Sequence, residues 1–166
     1  MNAKLFVLFL TLVGAAFAAD APAASEGKPA PNFELKDAAG KTVKLKDYRG
    51  KVVLLDFWAT WCTGCKQEMP WFADFQKKYG AKKFAVVGVS LDDDGWKSLR
   101  PFLKEHREFR YKMLAGDQVT AERYGSADGL PDTFLIDRMG NLVETYHGVV
   151  DRDAVEANIQ ALLTKH

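Results

Sequence analysis

The chain has 166 residues, a length that suits one domain, and its 48% apolar and 27% charged residues are typical of a globular protein with a buried core. Its 23 basic and 22 acidic residues give a formal net charge of +1. This near balance excludes the strongly basic surface of a nucleic-acid-binding protein or of a polybasic membrane-binding module, so no nucleic-acid partner is expected.

The first 18 residues have the pattern of a cleaved export signal. A single early lysine, Lys4, precedes an apolar run at residues 5–13, and the sequence AFA at residues 16–18 matches a small-residue cleavage site. The run is shorter than the roughly 20 residues that span a bilayer, although a retained membrane anchor is the alternative. We therefore predict a signal peptide at residues 1–18 and a soluble mature protein that is periplasmic or otherwise exported.

The predicted domain begins with a β-hairpin. Residues 19–31 are small, polar and proline-rich, which is typical of a flexible lead-in, and the domain itself is expected to span residues 32–166. Apolar and polar residues alternate at 33–36 and at 42–45, on either side of a turn that contains Gly40. This alternation predicts two antiparallel strands.

Strands and helices then alternate. Residues 51–58 are almost wholly apolar and predict a central strand that is buried on both faces, and residues 62–79 have the apolar spacing of a helix. A second buried strand is predicted at residues 84–90 and a second helix at residues 96–107. The acidic turn at residues 92–95 is expected to cap that second helix.

The rest of the chain completes the sheet. The patterns predict a short strand at 111–114, a short helix at 118–124, a hairpin of strands at 133–137 and 142–146, and a last amphipathic helix at 152–163. This order of elements is that of a three-layer α/β domain.

Both cysteines of the chain, Cys62 and Cys65, lie where the central strand gives way to a helix. The first turn of a helix has unpaired N–H groups and a partial positive charge, which would stabilise a thiolate at Cys62 and lower its pKa below the free value of about 8.5. Cys65 lies one turn further on and can attack a mixed disulfide formed at Cys62. The pair therefore predicts thiol–disulfide exchange with Cys62 as nucleophile and Cys65 as resolver.

Two other uses of the cysteine pair are less well supported. A structural zinc site needs about four Cys or His ligands, and His106, His147 and His166 are not in paired ligand spacing. An inert crosslink across three residues would close a loop too small to constrain the unfolded chain. We expect no metal site and no cofactor other than a redox-active disulfide between Cys62 and Cys65.

The segment LLDFWATWCTGCKQEMP, at residues 54–70, resembles the active-site segment of thioredoxin-fold proteins, in the form found in TlpA/ResA-like exported thiol–disulfide oxidoreductases. The segment GLPDTFLID, at residues 129–137, resembles the cis-proline loop of that family. The first hairpin is similar to the one that the family shares with peroxiredoxins. The resemblance implies a thioredoxin-like fold with an N-terminal β-hairpin and a central strand–helix insertion between Phe84 and Arg107.

The resemblance also implies a surface that binds substrate. Pro131 would be a cis-proline that faces the disulfide, and its neighbour Leu130 would belong to the backbone segment that pairs with an extended substrate chain. Trp61 would shield the sulfur pair, with plain aromatic packing as the alternative. Gly64 occupies a position where the family often has proline, and glycine is expected to loosen the start of the helix.

Three polar residues are candidates for assisting the cysteines. Asp56 lies inside an apolar strand, where burial should raise its pKa. The resemblance to thioredoxins implies that Asp56 accepts the proton of Cys65, with a purely structural acid as the alternative. Glu68 and Lys66 could tune the site, although each could equally be an ordinary surface residue of the helix.

Taken together, the residues and the resemblance predict a monomeric exported thiol–disulfide oxidoreductase that reduces disulfides in protein clients. Its expected partners are cysteine-containing exported proteins, with apocytochrome c as one candidate, and a membrane thiol electron donor. A thiol peroxidase of the peroxiredoxin type is one alternative, but Ala59 stands three residues before Cys62, where that family has threonine. A redox-inert thioredoxin-fold binding module is the other, and the presence of both cysteines speaks against it.

Overall fold

The computed structural model describes residues 27–126 and 129–164. The predicted signal peptide and the first part of the predicted lead-in lie outside these residues. The described part of the chain forms the strands β1 (Glu34–Lys36), β2 (Thr42–Lys44), β3 (Val52–Trp58), β4 (Phe84–Ser90), β5 (Lys112–Ala115), β6 (Asp132–Ile136) and β7 (Leu142–His147). It also forms the α-helices α1 (Thr63–Tyr79), α2 (Trp96–Glu105), α3 (Gln118–Tyr124) and α4 (Arg152–Thr164).

The strands form one mixed sheet in the order β2-β1-β5-β4-β3-β6-β7. The central strands β3, β4 and β5 are parallel, whereas β6 and β7 add to one side, and β1 and β2 to the other, in antiparallel fashion. Every residue of β3 is buried, which confirms the prediction of a central strand covered on both faces. The predicted three-layer α/β architecture is confirmed.

Alternate residues of β3 contribute to two separate cores. Val52, Leu54 and Trp58 pack on the face that α1 and α4 cover. Val53, Leu55 and Phe57 pack on the opposite face, with α3 and the N-terminal hairpin. Because side chains alternate along a strand, Asp56 lies on the same face as its even-numbered neighbours, beneath α1.

The predicted flexible lead-in is too long at its C-terminal end. The amide N–H of Gly27 donates to the carbonyl of Leu142, and that of Ala30 donates to the carbonyl of Gly140. The carbonyl of Lys28 in turn accepts from the amide N–H of Leu142, at 2.8 Å. These partners lie far away along the chain, so the local composition on which the lead-in was predicted contains no sign of them.

Candidate active site

The two cysteines form a disulfide at the N-terminus of α1, with their Cα atoms 5.4 Å apart. Cys62 is the N-cap residue of the helix, and its Sγ accepts a hydrogen bond from the Cys65 amide at 3.1 Å. Cys62 is 5% exposed and Cys65 is fully buried. Of the two cysteines, only Cys62 therefore has surface open to another molecule, and its sulfur already accepts from an N–H group of the kind that stabilises a thiolate.

A cis-proline lies against the first turn of α1. The Leu130–Pro131 peptide bond is cis, which confirms that part of the expectation for Pro131. A Cβ atom placed on Gly64 would lie 3.3 Å from Cδ of Pro131 and 3.0 Å from Cγ2 of Val149. The glycine at position 64 therefore allows the loops that contain Pro131 and Val149 to approach the helix closely beside the disulfide. The sequence predicts only that this glycine loosens the helix start, and it does not predict this close approach.

Exposed apolar side chains surround the disulfide. Trp61 is 67% exposed and Val149 is 45% exposed, while Leu130 is half-buried. The alternative in which Trp61 serves as an ordinary packed aromatic residue is therefore wrong. Solvent-exposed apolar groups beside a reactive sulfur form a surface on which an extended peptide could dock.

A cleft of about 440 Å³ lies beside the cis-proline, lined by Leu130, Pro131, Asp132, His147 and Gly148 among others. Nδ1 of His147 lies 2.7 Å from Oδ1 of Asp132. The imidazole is largely exposed, whereas the carboxyl is buried. Sequence reasoning missed this pair, because its two residues are brought together only by the antiparallel register of β6 and β7.

Asp56 lies fully buried in β3. Neither of its carboxylate oxygens has a hydrogen-bond partner among the described residues. Burial raises the pKa of Asp56 well above its usual range, and the nearby carboxyls of Glu68 and Asp132 raise it further. A carboxyl with a raised pKa binds a proton more readily than an ordinary aspartate does, which suits it to accept a proton from a thiol.

Glu68 is a second buried acid on the same side of the sheet. It follows Cys65 by three residues and so shares its face of α1. Oε2 of Glu68 accepts a hydrogen bond from the amide of Val150 at 2.9 Å, and desolvation nevertheless raises the pKa of Glu68 to about 7. The alternative in which Glu68 is a solvent-facing helical residue is therefore wrong. Lys66, by contrast, is exposed.

Asp92 is a residue whose place the sequence reasoning missed. The expected cap of α2 is not formed by this acid, because Gly95 is the N-cap residue and has no side chain that could serve. Asp92 instead accepts hydrogen bonds from the amide of Thr60, from its hydroxyl at 2.6 Å, and from the hydroxyl of Ser90 at 2.7 Å. Because parallel strands β3 and β4 end at the same edge of the sheet, Asp92 can hold the loop that leads into Cys62.

The described residues contain no group of three or more His, Cys, Asp and Glu side chains arranged to hold a metal ion. The reactive groups that the described side chains place at the site are the two sulfurs, with Asp56 and Glu68 buried on the same side of the sheet.

The sequence matches the profile of the AhpC/TSA family over residues 27–145. It is 32% identical to the thiol–disulfide oxidoreductase ResA of a Bacillus cereus strain over 164 residues, which cover 94% of this chain and 93% of that protein. It is 34% identical to the thiol–disulfide oxidoreductase ResA of Bacillus subtilis (strain 168) over 131 residues, with 79% and 72% of the two chains covered.

Solved structures show the same fold. The crystal structure of a Chlorobium tepidum protein assigned as the thiol:disulfide interchange protein DsbE superposes with a TM-score of 0.74 at 38% identity, over 84% of this chain and 98% of that one. The solution structure of a Bacteroides thetaiotaomicron protein assigned as a protein disulfide isomerase gives a TM-score of 0.77 at 28% identity, over 85% and 91% of the chains. These similarities confirm the predicted thioredoxin-like fold.

Proposed function

Because this chain belongs to the AhpC/TSA family and is a thiol–disulfide oxidoreductase related to ResA, we propose that it reduces disulfide bonds in exported protein clients. One observation supports this role above the others. A reachable sulfur at Cys62 adjoins a cis-proline and an exposed apolar surface, while the buried sulfur of Cys65 lies on the side of two buried acids. This arrangement provides for attack from outside and for resolution from inside.

The proposed reaction begins from the dithiol form. The thiolate of Cys62 attacks a client disulfide, so that a Cys62–client S–S bond forms and the other client sulfur leaves and takes up a proton. Asp56 then accepts the proton of Cys65, whose thiolate attacks Sγ of Cys62. The Cys62–Cys65 disulfide forms and the second client sulfur leaves and is protonated. The client gains two electrons and two protons, and the protein is oxidised by the same amount.

The surface around the disulfide suggests how a client would bind. An extended client segment would lie along the backbone of Leu130 and Pro131, between the exposed ring of Trp61 and the cleft that contains His147. Cysteine-containing exported proteins, such as apocytochrome c, are clients of a suitable kind. A membrane thiol carrier would return the protein to its dithiol form after each cycle.

We expect the protein to catalyse reduction of insulin by dithiothreitol, and to show a reduction potential in the more negative half of the range from about −270 to −120 mV known for this chemistry. The residues between the cysteines, Thr63 and Gly64, include no histidine to stabilise a thiolate strongly. An ionised Asp56 would oppose that thiolate further. Equilibration of the protein in graded thiol buffers measures the potential.

A peroxide assay on the same preparation tests the alternative chemistry. Rapid hydrogen peroxide turnover without insulin reduction would establish a thiol peroxidase and overturn the proposal. A potential close to that of the strong oxidants, about −120 mV, would instead indicate an oxidant, and absence of both activities would indicate a binding module.

We further propose that residues 1–18 direct export and are then removed. Those residues lie outside the described part of the chain, and the proposal rests on their composition. Of the helices that the structure describes, none has the length and apolar character needed to cross a membrane. The intact mass of protein purified from an envelope fraction should correspond to a start near Ala19 or Asp20. A mass that includes residues 1–18 would show that the segment is kept as an anchor.

A further inference from the structure

A cleft of about 710 Å³ lies apart from the cysteine site. It is bounded by the turn of the first hairpin, by α2 and by the segment that joins α2 to β5. In the sheet, β4 separates β5 from β3, whose C-terminal end leads to the disulfide, and the cleft is lined by the N-terminal end of β5. No residue of the cysteine site lines this cleft, so its occupant need not cover the disulfide.

Two side chains of α2 hold one wall of the cleft against the first hairpin. Nε1 of Trp96 donates a hydrogen bond to the carbonyl of Lys36 at 3.1 Å. Nη2 of Arg100 donates a hydrogen bond to the carbonyl of Ala38 at 2.9 Å. The folded domain therefore forms the cleft before any partner arrives, and binding there need not order a loop.

Aromatic and apolar side chains form the floor of the cleft. The rings of His106 and Phe109 are stacked, with centroids 5.4 Å apart and an angle of 15° between the ring planes. Tyr111 and Met113 also line the cleft, and both are buried. A floor of this kind can cover an apolar side chain of another molecule.

Two exposed arginines give the cleft positive charge. Nε of Arg107 donates to the carbonyl of Lys104 at 3.3 Å, and Nε of Arg110 donates to the carbonyl of Arg107 at 3.2 Å. These bonds orient each guanidinium and leave its two terminal amino groups available to other acceptors. The ion pairs among the described residues include neither Arg107 nor Arg110.

The other basic groups that line the cleft already have acidic partners. Nζ of Lys112 lies 3.2 Å from Oδ2 of Asp37, which is the only carboxylate among the described residues that line the cleft. Nδ1 of His106 lies 3.2 Å from Oε1 of Glu108. The charge of the two arginines is therefore left without a counterpart, and it calls for acidic groups on the occupant.

We propose that this cleft binds an acidic segment of a partner protein. Carboxylates of the segment pair with Arg107 and Arg110, whose planar guanidinium groups can each bind both oxygens of one carboxylate. An apolar side chain of the same segment covers the aromatic floor. The walls of the cleft form a concave surface, which suits a chain segment better than a flat lipid bilayer.

The position of the cleft gives such a partner a use beyond the proposed reaction. Because the cleft and the cysteine site share no residue, the partner can stay bound while Cys62 exchanges disulfides. Any thiol or disulfide that the partner contains is then present at a high effective concentration. The inference concerns binding alone and holds whether the protein acts as a reductant or not.

Fluorescence anisotropy with a labelled peptide of alternating glutamate and leucine tests the inference. The control peptide has glutamine in place of every glutamate. The oxidised protein should bind the glutamate peptide at least about tenfold more tightly, as expected for two or more hydrogen bonds to charged groups. The difference should shrink as the salt concentration rises from about 0.01 M to about 1 M, because salt screens exposed charges. Equal binding of the two peptides at low salt overturns the inference.

The double variant Arg107→Gln with Arg110→Gln removes both charges and should abolish the preference for the glutamate peptide. Arg107→Lys with Arg110→Lys keeps the charges and loses the planar groups, so it should retain an intermediate preference. The matched control is Lys46→Gln with Arg123→Gln, which removes two exposed charges outside the cleft and should leave the preference nearly unchanged. An equal loss in this control would show that the peptide responds only to net charge, which overturns the inference.

Vesicles of phosphatidylglycerol in phosphatidylcholine test the competing occupant. Sedimentation of the protein with these vesicles, lost in Arg107→Gln with Arg110→Gln and without any binding of the glutamate peptide, would assign the cleft to a lipid surface and overturn the inference. All of these measurements use the oxidised protein and no redox step. A failure here therefore leaves the proposed function standing, and a failure of insulin reduction leaves this inference standing.

Discussion

Cys62→Ser is expected to abolish insulin reduction, whereas Cys65→Ser is expected to leave the protein covalently joined to its client. A serine hydroxyl is not a nucleophile toward a disulfide, so the first change removes the attacking group, and we expect at least a ~10³-fold loss of turnover. The second change keeps the reachable sulfur and removes only the buried resolver. Non-reducing electrophoresis and mass spectrometry of each variant, incubated with a disulfide-bonded client, detect the adduct.

The control for these variants is Thr63→Ala, which changes an exposed residue of the same helical turn and leaves both sulfurs in place. It should keep most of the turnover. Alkylation of the reduced protein provides an independent reading, in which Cys62 should react first. An adduct formed by Cys62→Ser but not by Cys65→Ser would reverse the assignment of nucleophile and resolver.

The individual strands and the position of the cysteines could be predicted from the sequence because both depend on local patterns. The apolar run of β3 and the helical spacing of α1 place Cys62 at a helix start without any knowledge of the fold. The cis state of the bond before Pro131 could be expected only through the family resemblance, since cis bonds are a small minority of X–Pro bonds.

The surroundings of the sulfurs could not be predicted in the same way, because they depend on contacts between distant segments. Glu68 is buried by the loop that contains Val150, which lies 82 residues further along the chain. Asp92 binds Thr60, 32 residues before it, and so has a different role from the helix cap that its local sequence suggested.

Asp56→Asn is expected to stabilise the protein and to slow resolution of the mixed disulfide. The pKa of Asp56 is raised in the folded state. In the pH window between the ordinary aspartate pKa and this raised pKa, the folded state binds more protons than the unfolded state. The free energy of unfolding therefore falls as pH rises through that window. Each unit by which the folded pKa is raised costs about 1.4 kcal/mol above the window. Asparagine cannot ionise and avoids this cost.

The gain in the free energy of unfolding should therefore be near zero at about pH 4 and should grow as pH rises through the window. Denaturant unfolding at several pH values measures it. Glu68, whose pKa is raised to about 7, should still cause a loss of stability in the variant as pH rises from its ordinary pKa of 4.5 to about 7. The exposed Asp93 provides the matched control, since Asp93→Asn makes the same chemical change outside the core and should leave the pH dependence as it is.

Resolution should slow by about 10²-fold in Asp56→Asn at about pH 7, the low end of what a positioned general base contributes, while the first attack by Cys62 changes much less. Stopped-flow mixing with a labelled client disulfide separates the two steps. The pair of measurements is decisive because the two effects have one cause: the same burial that destabilises an ionised Asp56 raises its affinity for a proton. A variant that gains stability but resolves mixed disulfides at the original rate would show that Asp56 is a buried acid with no part in the proton transfer, and Cys65 would then have to lose its proton to Glu68 or to solvent.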